Sequence, residues 1–147
     1  MTEANSLVLT GELIDAGWSI KGGGVIGGGW AARFLLSGWD VNFYDPDPDA
    51  KRKIGEVLAN ARRSLPALSD VAPVAEGQLT PVTSIADAVK DAHWIQESVP
   101  ERLDLKHKIF AEIQAQCDGQ ALVGSSTSGF KPSELQENAK NPAQLFV

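Results

Sequence analysis

A run of glycines near the start of the chain, followed by one acidic residue, constrains the fold more than any other feature. Gly22-Gly23-Gly24-Val25-Ile26-Gly27 has the spacing G-x-G-x-x-G, and Asp45 lies 18 residues after the last glycine. In a strand–helix–strand unit, the first glycine forms a tight turn, the second lets the backbone approach a pyrophosphate, and the third permits close helix packing. The amides at the helix start then face an anion. The pattern predicts a dinucleotide site, with NAD as its ligand.

Composition limits the classes of protein to which the chain can belong. A length of 147 residues with 43% hydrophobic content suits one domain, and the net charge of −6 disfavours nucleic acid or anionic lipid as a partner. Cys117 is the one cysteine, and with His93 and His107 it makes no metal-ligand cluster, so we expect no disulfide and no metal. The first residues have neither the basic nor the apolar stretch of a targeting segment. We expect a cytoplasmic protein without a membrane partner.

Beyond the glycine run, helical and strand patterns alternate, which is typical of a parallel sheet covered by helices. We therefore predict an α/β fold, a Rossmann-type doubly wound and mainly parallel sheet. Predicted helices cover residues 29–37, 50–65, 85–90, 101–117 and 131–139, and predicted strands cover 39–44, 79–83, 94–99, 121–124 and 143–147. Residues 65–80, with two prolines and weak periodicity, are expected to form a short helical or irregular excursion.

The first strand is the atypical element. A Rossmann fold requires an apolar strand that runs directly into the first glycine, yet residues 15–21 offer only Trp18 and Ile20 and end in Lys21. The more strand-like run, residues 7–10, lies 12 residues too early. We therefore divide the chain into an atypical N-terminal segment, residues 1–21, and an NAD-binding domain, residues 22–147.

Four features in this order resemble a known family. The glycine run, Asp45, residues 96–108 (QESVPERLDLKHK) and the turn at residues 125–129 are similar to the NAD-binding domain of the 3-hydroxyacyl-CoA dehydrogenase superfamily. Within this superfamily, the residues of these four motifs are most similar to the L-carnitine dehydrogenase branch, followed by the lambda-crystallin or gulonate dehydrogenase branch. The resemblance implies that the parent enzyme transfers hydride from a small 3-hydroxy acid to NAD.

The resemblance also implies roles for individual residues. The glycine run would hold the pyrophosphate, and Asp45 would accept hydrogen bonds from the adenosine ribose and disfavour the 2′-phosphate of NADP. Glu101 and Lys106 would lie near the nicotinamide half, and Ser128 would hydrogen-bond the reacting hydroxyl. The family's proton-accepting histidine, the glutamate that orients it and the helical domain that forms the homodimer would follow Val147. We therefore expect this chain to be inactive alone.

Simpler interpretations exist for several of these residues. Glu101 could be an acid favoured by a helix N-terminus, and Lys106, His107 and Lys108 could form a solvated helix face, which is the interpretation we adopt for His107. Residues 125–128 could satisfy backbone groups of a loop. Trp30 and Trp39 are assigned to packing.

The lack of basic residues in one segment distinguishes between an acyl-CoA and a small 3-hydroxy acid as the substrate. Residues 64–89 contain no Lys or Arg, whereas acyl-CoA users place basic side chains on this excursion to meet the CoA phosphates. A small 3-hydroxy acid is therefore preferred, with L-carnitine and its product 3-dehydrocarnitine first. The alternatives are a 3-hydroxyacyl-CoA or L-gulonate dehydrogenase relative, or an NAD-binding module without catalysis.

Overall fold

The computed structural model describes residues 6–10, 23–68, 70, 72 and 74–147 as a parallel sheet covered by helices. The strands are β1 (Ser6–Thr10), β2 (Asp40–Tyr44), β3 (Leu79–Pro81), β4 (Trp94–Glu97), β5 (Leu122–Ser125) and β6 (Leu145–Phe146). The helices are α1 (Gly23–Leu35), α2 (Ala50–Ser64), α3 (Ile85–Val89), α4 (Leu103–Gln116) and α5 (Pro132–Gln136). The strand order is β3-β2-β1-β4-β5-β6, and all five strand pairs are parallel. The predicted Rossmann-type fold is confirmed.

The central strand differs from the sequence-based expectation. β1 lies between β2 and β4 and is formed by Ser6–Thr10, the run judged to be too early in the sequence. Residues 11–22, which include the expected strand around Trp18 and Ile20, lie outside the described residues. A central strand is buried on both faces and therefore favours a continuous apolar run, which residues 7–9 supply. The described sheet thus includes part of the segment that we had separated from the domain.

The first helix also begins earlier than predicted. α1 starts at Gly23, inside the glycine run, and ends at Leu35, whereas the sequence predicted residues 29–37. Glycine has a low helix propensity, so the glycine run gives no helical signal in the sequence, but here helix packing outweighs that preference. Gly38 then reverses the chain with φ +86°, a conformation that glycine adopts without strain.

Two apolar clusters lie on opposite faces of the sheet. Ile95 belongs to the cluster under α3, α4 and α5, whereas its neighbour Trp94 packs against the cluster formed with α1 and α2. Successive residues of a strand point to opposite faces, so the two clusters cover the two sides. Trp30 and Trp39 pack against Phe34, with ring centroids 6.0 and 5.1 Å away, as the packing assignment predicted.

Other boundaries shift by a few residues. α4 begins at Leu103 instead of residue 101, β4 ends at Glu97, and a short 3₁₀ turn, Pro142–Gln144, precedes β6. The excursion after α2 begins as a 3₁₀ turn, Leu65–Leu68, and the described residues 74–78 before β3 form neither helix nor strand. Among the described residues, no helix is long and apolar enough to cross a membrane.

Candidate NAD site

The predicted site residues lie at the edge where the parallel strands end. The chain leaves β1 toward α1 and β2 on one side of the sheet and reaches β4 on the other side, so the sheet changes direction between β1 and β4. Ligands of doubly wound sheets bind in the crevice beyond this switch point, outside the carboxyl ends of the strands. The ends of β2, β4 and β5 bring Asp45, Glu101 and Ser128 to this edge.

The glycine run begins α1 beside that crevice. Gly22 and the side chain of Val25 lie outside the described part of the chain, while Gly23 and Gly24 are the first helical residues. Gly27 is buried, and a Cβ at this position would lie 3.7 Å from Cβ of Ser98, just beyond the end of β4. The amides of the first helical turn have no acceptor within the helix, so this arrangement suits a pyrophosphate.

The closest helix approach occurs one residue after the motif. A Cβ on Gly28 would lie 3.1 Å from both Cγ atoms of Val57 on α2, tighter than an ordinary contact. Gly27, the motif glycine expected to permit close packing, has only an ordinary contact with Ser98. Of Gly27 and Gly28, the second is therefore the one that must be small for α1 to approach α2, which the motif alone did not indicate.

Asp45 follows β2 and is half-buried. Its Oδ1 accepts a hydrogen bond from the Asp47 amide at 2.8 Å, which turns the chain toward α2. The Asp45 carboxylate therefore lies at the strand end that a dinucleotide site requires, and its contact with the adenosine ribose stays a prediction.

Glu101 joins the ends of β4 and β5. Its Oε1 accepts hydrogen bonds from the amides of Gly129 at 2.7 Å and Ser128 at 3.2 Å, and from the Thr127 hydroxyl. Burial raises the pKa of the Glu101 carboxyl, but these bonds and the charge of Lys106 outweigh burial and leave the pKa below its usual value. Glu101 thus binds the turn after β5 instead of capping α4.

Behind Glu101 lies a buried ion pair. Lys106 Nζ is 2.9 and 3.0 Å from the two carboxylate oxygens of Glu97, donates to the Val99 carbonyl at 3.2 Å, and is 3.5 Å from Oε2 of Glu101. The side chains of Lys106 and Glu97 are 1% and 0% exposed, so Lys106 does not belong to a solvated helix face. Its direct contact with the cofactor, implied by the resemblance, stays a prediction; in this structure its ammonium faces two carboxylates.

Sequence reasoning missed Glu97. Besides Lys106, the Glu97 carboxylate accepts hydrogen bonds from the Ser125 hydroxyl at 2.6 Å and the Val99 amide at 2.5 Å. A carboxylate at the end of an otherwise buried strand, with a lysine nine residues later in the next helix, was the signal in the sequence. The pair fixes α4 to the end of β4.

The polar turn after β5 is an ordered part of this edge. Ser126 Oγ accepts a hydrogen bond from Gln96 Nε2 and lies 2.9 Å from Ser98 Oγ, so it links β5 to the sheet face under α1. Ser125 and Thr127 bind Glu97 and Glu101, while the Ser128 side chain is exposed at the edge. The turn is therefore bound to specific side chains, and Ser125 and Thr127 also accept the backbone amides of Thr127 and Phe130, as the simpler interpretation predicted.

His107 departs from its expected position as well. It is half-buried, with Nε2 2.6 Å from the Glu134 carbonyl oxygen, so it joins α4 to α5 instead of lying on a solvated face.

Comparison with known proteins agrees with this geometry. Residues 19–147 match the family described as 3-hydroxyacyl-CoA dehydrogenase, NAD binding domain. The chain belongs to this family. NAD is accordingly the cofactor of the domain, and the described switch-point edge, the α1 start and Asp45 fit a dinucleotide.

Relatives of this NAD-binding domain include larger enzymes. The chain is 67% identical over 129 residues to the L-carnitine dehydrogenase/betainyl-CoA thioesterase of Ruegeria pomeroyi, covering 88% of this chain and 26% of that protein. It is 54% identical over 127 residues to the L-carnitine dehydrogenase of Mesorhizobium japonicum, covering 86% of this chain and 35% of that protein. The chain therefore spans about a quarter to a third of the length of these relatives. The predicted resemblance to this branch is confirmed.

Solved structures share the architecture. An NAD⁺-dependent dismutase, 5-formyl-3-hydroxy-2-methylpyridine 4-carboxylic acid 5-dehydrogenase, aligns with a TM-score of 0.78 and 28% identity, covering 96% of this chain and 42% of that chain. The 3-hydroxybutyryl-CoA dehydrogenase of Escherichia coli aligns with a TM-score of 0.74 over 97% of this chain and 28% of that chain, and at 21% identity it shows the fold alone.

Proposed function

We propose that this chain is the NAD-binding part of an oxidoreductase that oxidises L-carnitine to 3-dehydrocarnitine by hydride transfer to NAD. One observation carries the proposal: the start of α1 and Asp45 lie at the same edge of the sheet as the Glu101–Ser128 turn. The α1 start and Asp45 can bind the adenosine half of one extended dinucleotide, and the Glu101–Ser128 turn can bind its nicotinamide half. The names of the relatives support carnitine as the substrate.

The residues of this chain bind and orient the cofactor. The amides of the α1 start would hold the pyrophosphate, and Asp45 would accept hydrogen bonds from the adenosine ribose. Bound NAD would supply the hydride acceptor. Ser128, exposed beside Glu101, would hydrogen-bond the hydroxyl group of the substrate.

The charge of the excursion supports a small substrate over an acyl-CoA. Between the 3₁₀ turn after α2 and the end of α3, residues 65–89 contain no Lys or Arg to meet CoA phosphates. Leu68 and Val74 on this excursion are 81% and 56% exposed. A carrier with several phosphates would find no charge-assisted partner along this part of the chain.

Calorimetric titration of NADH into the 147-residue chain tests the cofactor site. We expect saturable binding by wild type and binding weakened about tenfold or more by Asp45→Ala, since the ribose would lose a charge-assisted hydrogen bond. Glu76→Ala, which removes the carboxylate that pairs with Arg62 near the other end of α2, is the matched control and should bind as wild type does. A wild-type chain without saturable binding would refute the proposal.

The substrate is tested in the enzyme that contains this domain. L-carnitine should reduce NAD in that enzyme with a higher kcat/KM than L-gulonate or 3-hydroxybutyryl-CoA. Ser128→Ala should lower kcat/KM for L-carnitine while leaving the NADH dissociation constant unchanged. A preference for either of the other substrates would contradict the assignment.

A further inference from the structure

Beyond Asp45, the start of α2 carries a group of paired charges whose arrangement bears on cofactor choice. Two of the three basic residues in its first turn, Arg52 and Lys53, are bound to carboxylates of the β2–α2 connection or of α2 itself. Arg52 contacts Asp49 at 2.9 Å and Glu56 at 2.8 Å, and Lys53 Nζ contacts Asp47 Oδ2.

The charge of Asp45, the residue predicted to bind the adenosine ribose, acts on Lys53. Its hydrogen bond to Asp47 raises the pKa of the Lys53 ammonium, burial lowers it, and the charges of Asp47, Asp49 and Asp45 raise it further. Asp45 and Asp47 are also joined directly, through the Asp47 amide and Oδ1 of Asp45. The Lys53–Asp47 pair is therefore part of the same turn that presents Asp45.

A basic side chain at this place is what an NADP-binding site uses. In doubly wound sheets that bind NAD, a carboxylate after the second strand accepts a hydrogen bond from the ribose 2′-hydroxyl. In those that bind NADP, a nearby cation accommodates the 2′-phosphate. In this chain Arg52 and Lys53 lie in the first turn of α2, yet their charges are compensated by neighbouring carboxylates. Asp47 is only 10% exposed in its side chain and is held by two interactions, since its Oδ1 also accepts the Asp49 amide at 2.8 Å.

We propose that Asp47 is a specificity-determining residue, which excludes NADP by holding Lys53 in an ion pair and so withholding its charge from a 2′-phosphate. The inference rests on the proposed dinucleotide site. Asp45 repels the 2′-phosphate directly, and Asp47 neutralises Lys53, a cation that could compensate for this repulsion. Rejection of NADP is thereby divided between two carboxylates of one turn.

The test compares NADH and NADPH, which differ only in the 2′-phosphate, by calorimetric titration of the 147-residue chain. Asp47→Asn keeps the size of the side chain and releases Lys53. We expect it to lower the ratio of the NADPH to the NADH dissociation constant about tenfold, equivalent to about 1.4 kcal/mol, with little change for NADH itself. Asp45→Asn/Asp47→Asn should lower the ratio further.

Two further variants identify the cause. Lys53→Met in the Asp47→Asn background should abolish the gain in NADPH affinity, because the released cation is then absent. Glu76→Gln removes a carboxylate from an exposed ion pair with Arg62 at the far end of α2, and it should leave the ratio unchanged.

Each remaining outcome overturns the inference. If Asp47→Asn leaves the ratio unchanged, or if Asp47→Asn/Lys53→Met keeps the full gain, release of Lys53 does not govern the choice of cofactor. If wild type binds NADH and these variants behave in that way, the proposed function stands and only the inference fails. If wild type binds neither dinucleotide, the proposed function fails first and the inference with it.

Discussion

At the scale of single residues, Glu101 joins two parts of the site through one carboxylate. It receives two amides and a hydroxyl from the turn after β5 and lies 3.5 Å from Lys106, which in turn is held by the buried Glu97. The negative charge of Glu101 therefore stabilises both the donors of the turn and the ammonium of Lys106. Removal of the Glu101 carboxylate would leave the buried Lys106 ammonium and Thr127 hydroxyl with one partner fewer, which lowers stability.

This environment predicts how acid affects stability. The pKa of Glu101 in the folded chain lies below its ordinary value of 4.5, so its contribution is present above that pH and is lost as the pH falls through the folded value. We expect Glu101→Gln to lower the free energy of unfolding at pH 7 and to flatten its decline below about pH 4.5, as measured by urea titration at several pH values. Glu112→Gln on the exposed side of α4 is the control and should follow wild type. The prediction would be contradicted if the free energy of unfolding of Glu101→Gln fell with pH as steeply as that of wild type.

At the scale of elements, the sequence and the structure agree where a periodic apolar pattern defines a face. Within the predicted helix 50–65, Ile54 and Leu58 lie four residues apart on one face, and the structure buries both residues against α1 and β2. Patterns could not locate the start of α1 or the place of β1 in the sheet, because glycine gives no periodic signal and a short apolar strand carries no information about its position in the sheet. They also could not reveal that the Ser125 hydroxyl binds Glu97, since strand pairing brings Ser125 from 28 residues away.

The α1–α2 contact gives a prediction for two adjacent glycines. Gly29→Ala meets no atom within 4 Å and should raise the free energy of unfolding by about 0.5–1 kcal/mol through helix propensity. Gly28→Ala brings a Cβ to 3.1 Å from the Cγ atoms of Val57, and this crowding should cancel the gain or reverse it. Urea unfolding of both variants measures the difference.

Val57 supplies the check on the cause. Val57→Ala should destabilise the chain less in the Gly28→Ala background than in wild type, because the smaller side chain relieves the crowding. Equal stabilisation by Gly28→Ala and Gly29→Ala would show that α1 and α2 separate freely at this point.

At the scale of the whole molecule, the proposed site spans both faces of the sheet. The α1 start and Asp45 are supported by the cluster under α1 and α2, whereas Glu101 and Ser128 are supported by the helices of the opposite face. A ligand that occupies only one half should therefore order only one side of the edge. A complete dinucleotide should connect the two.

Hydrogen exchange with two ligands tests this division. AMP, which has the adenosine and a phosphate but no nicotinamide, should slow exchange at the start of α1 and at residues 45–50 while leaving residues 126–130 unchanged. NADH should slow exchange in both regions, because its nicotinamide half reaches the turn that Glu101 binds. Residues 65–68, in the exposed 3₁₀ turn after α2, are the internal control and should exchange at the same rate throughout. Equal protection of residues 126–130 by saturating AMP and NADH would show that this turn responds to adenosine alone, and the nicotinamide half would have to be placed elsewhere.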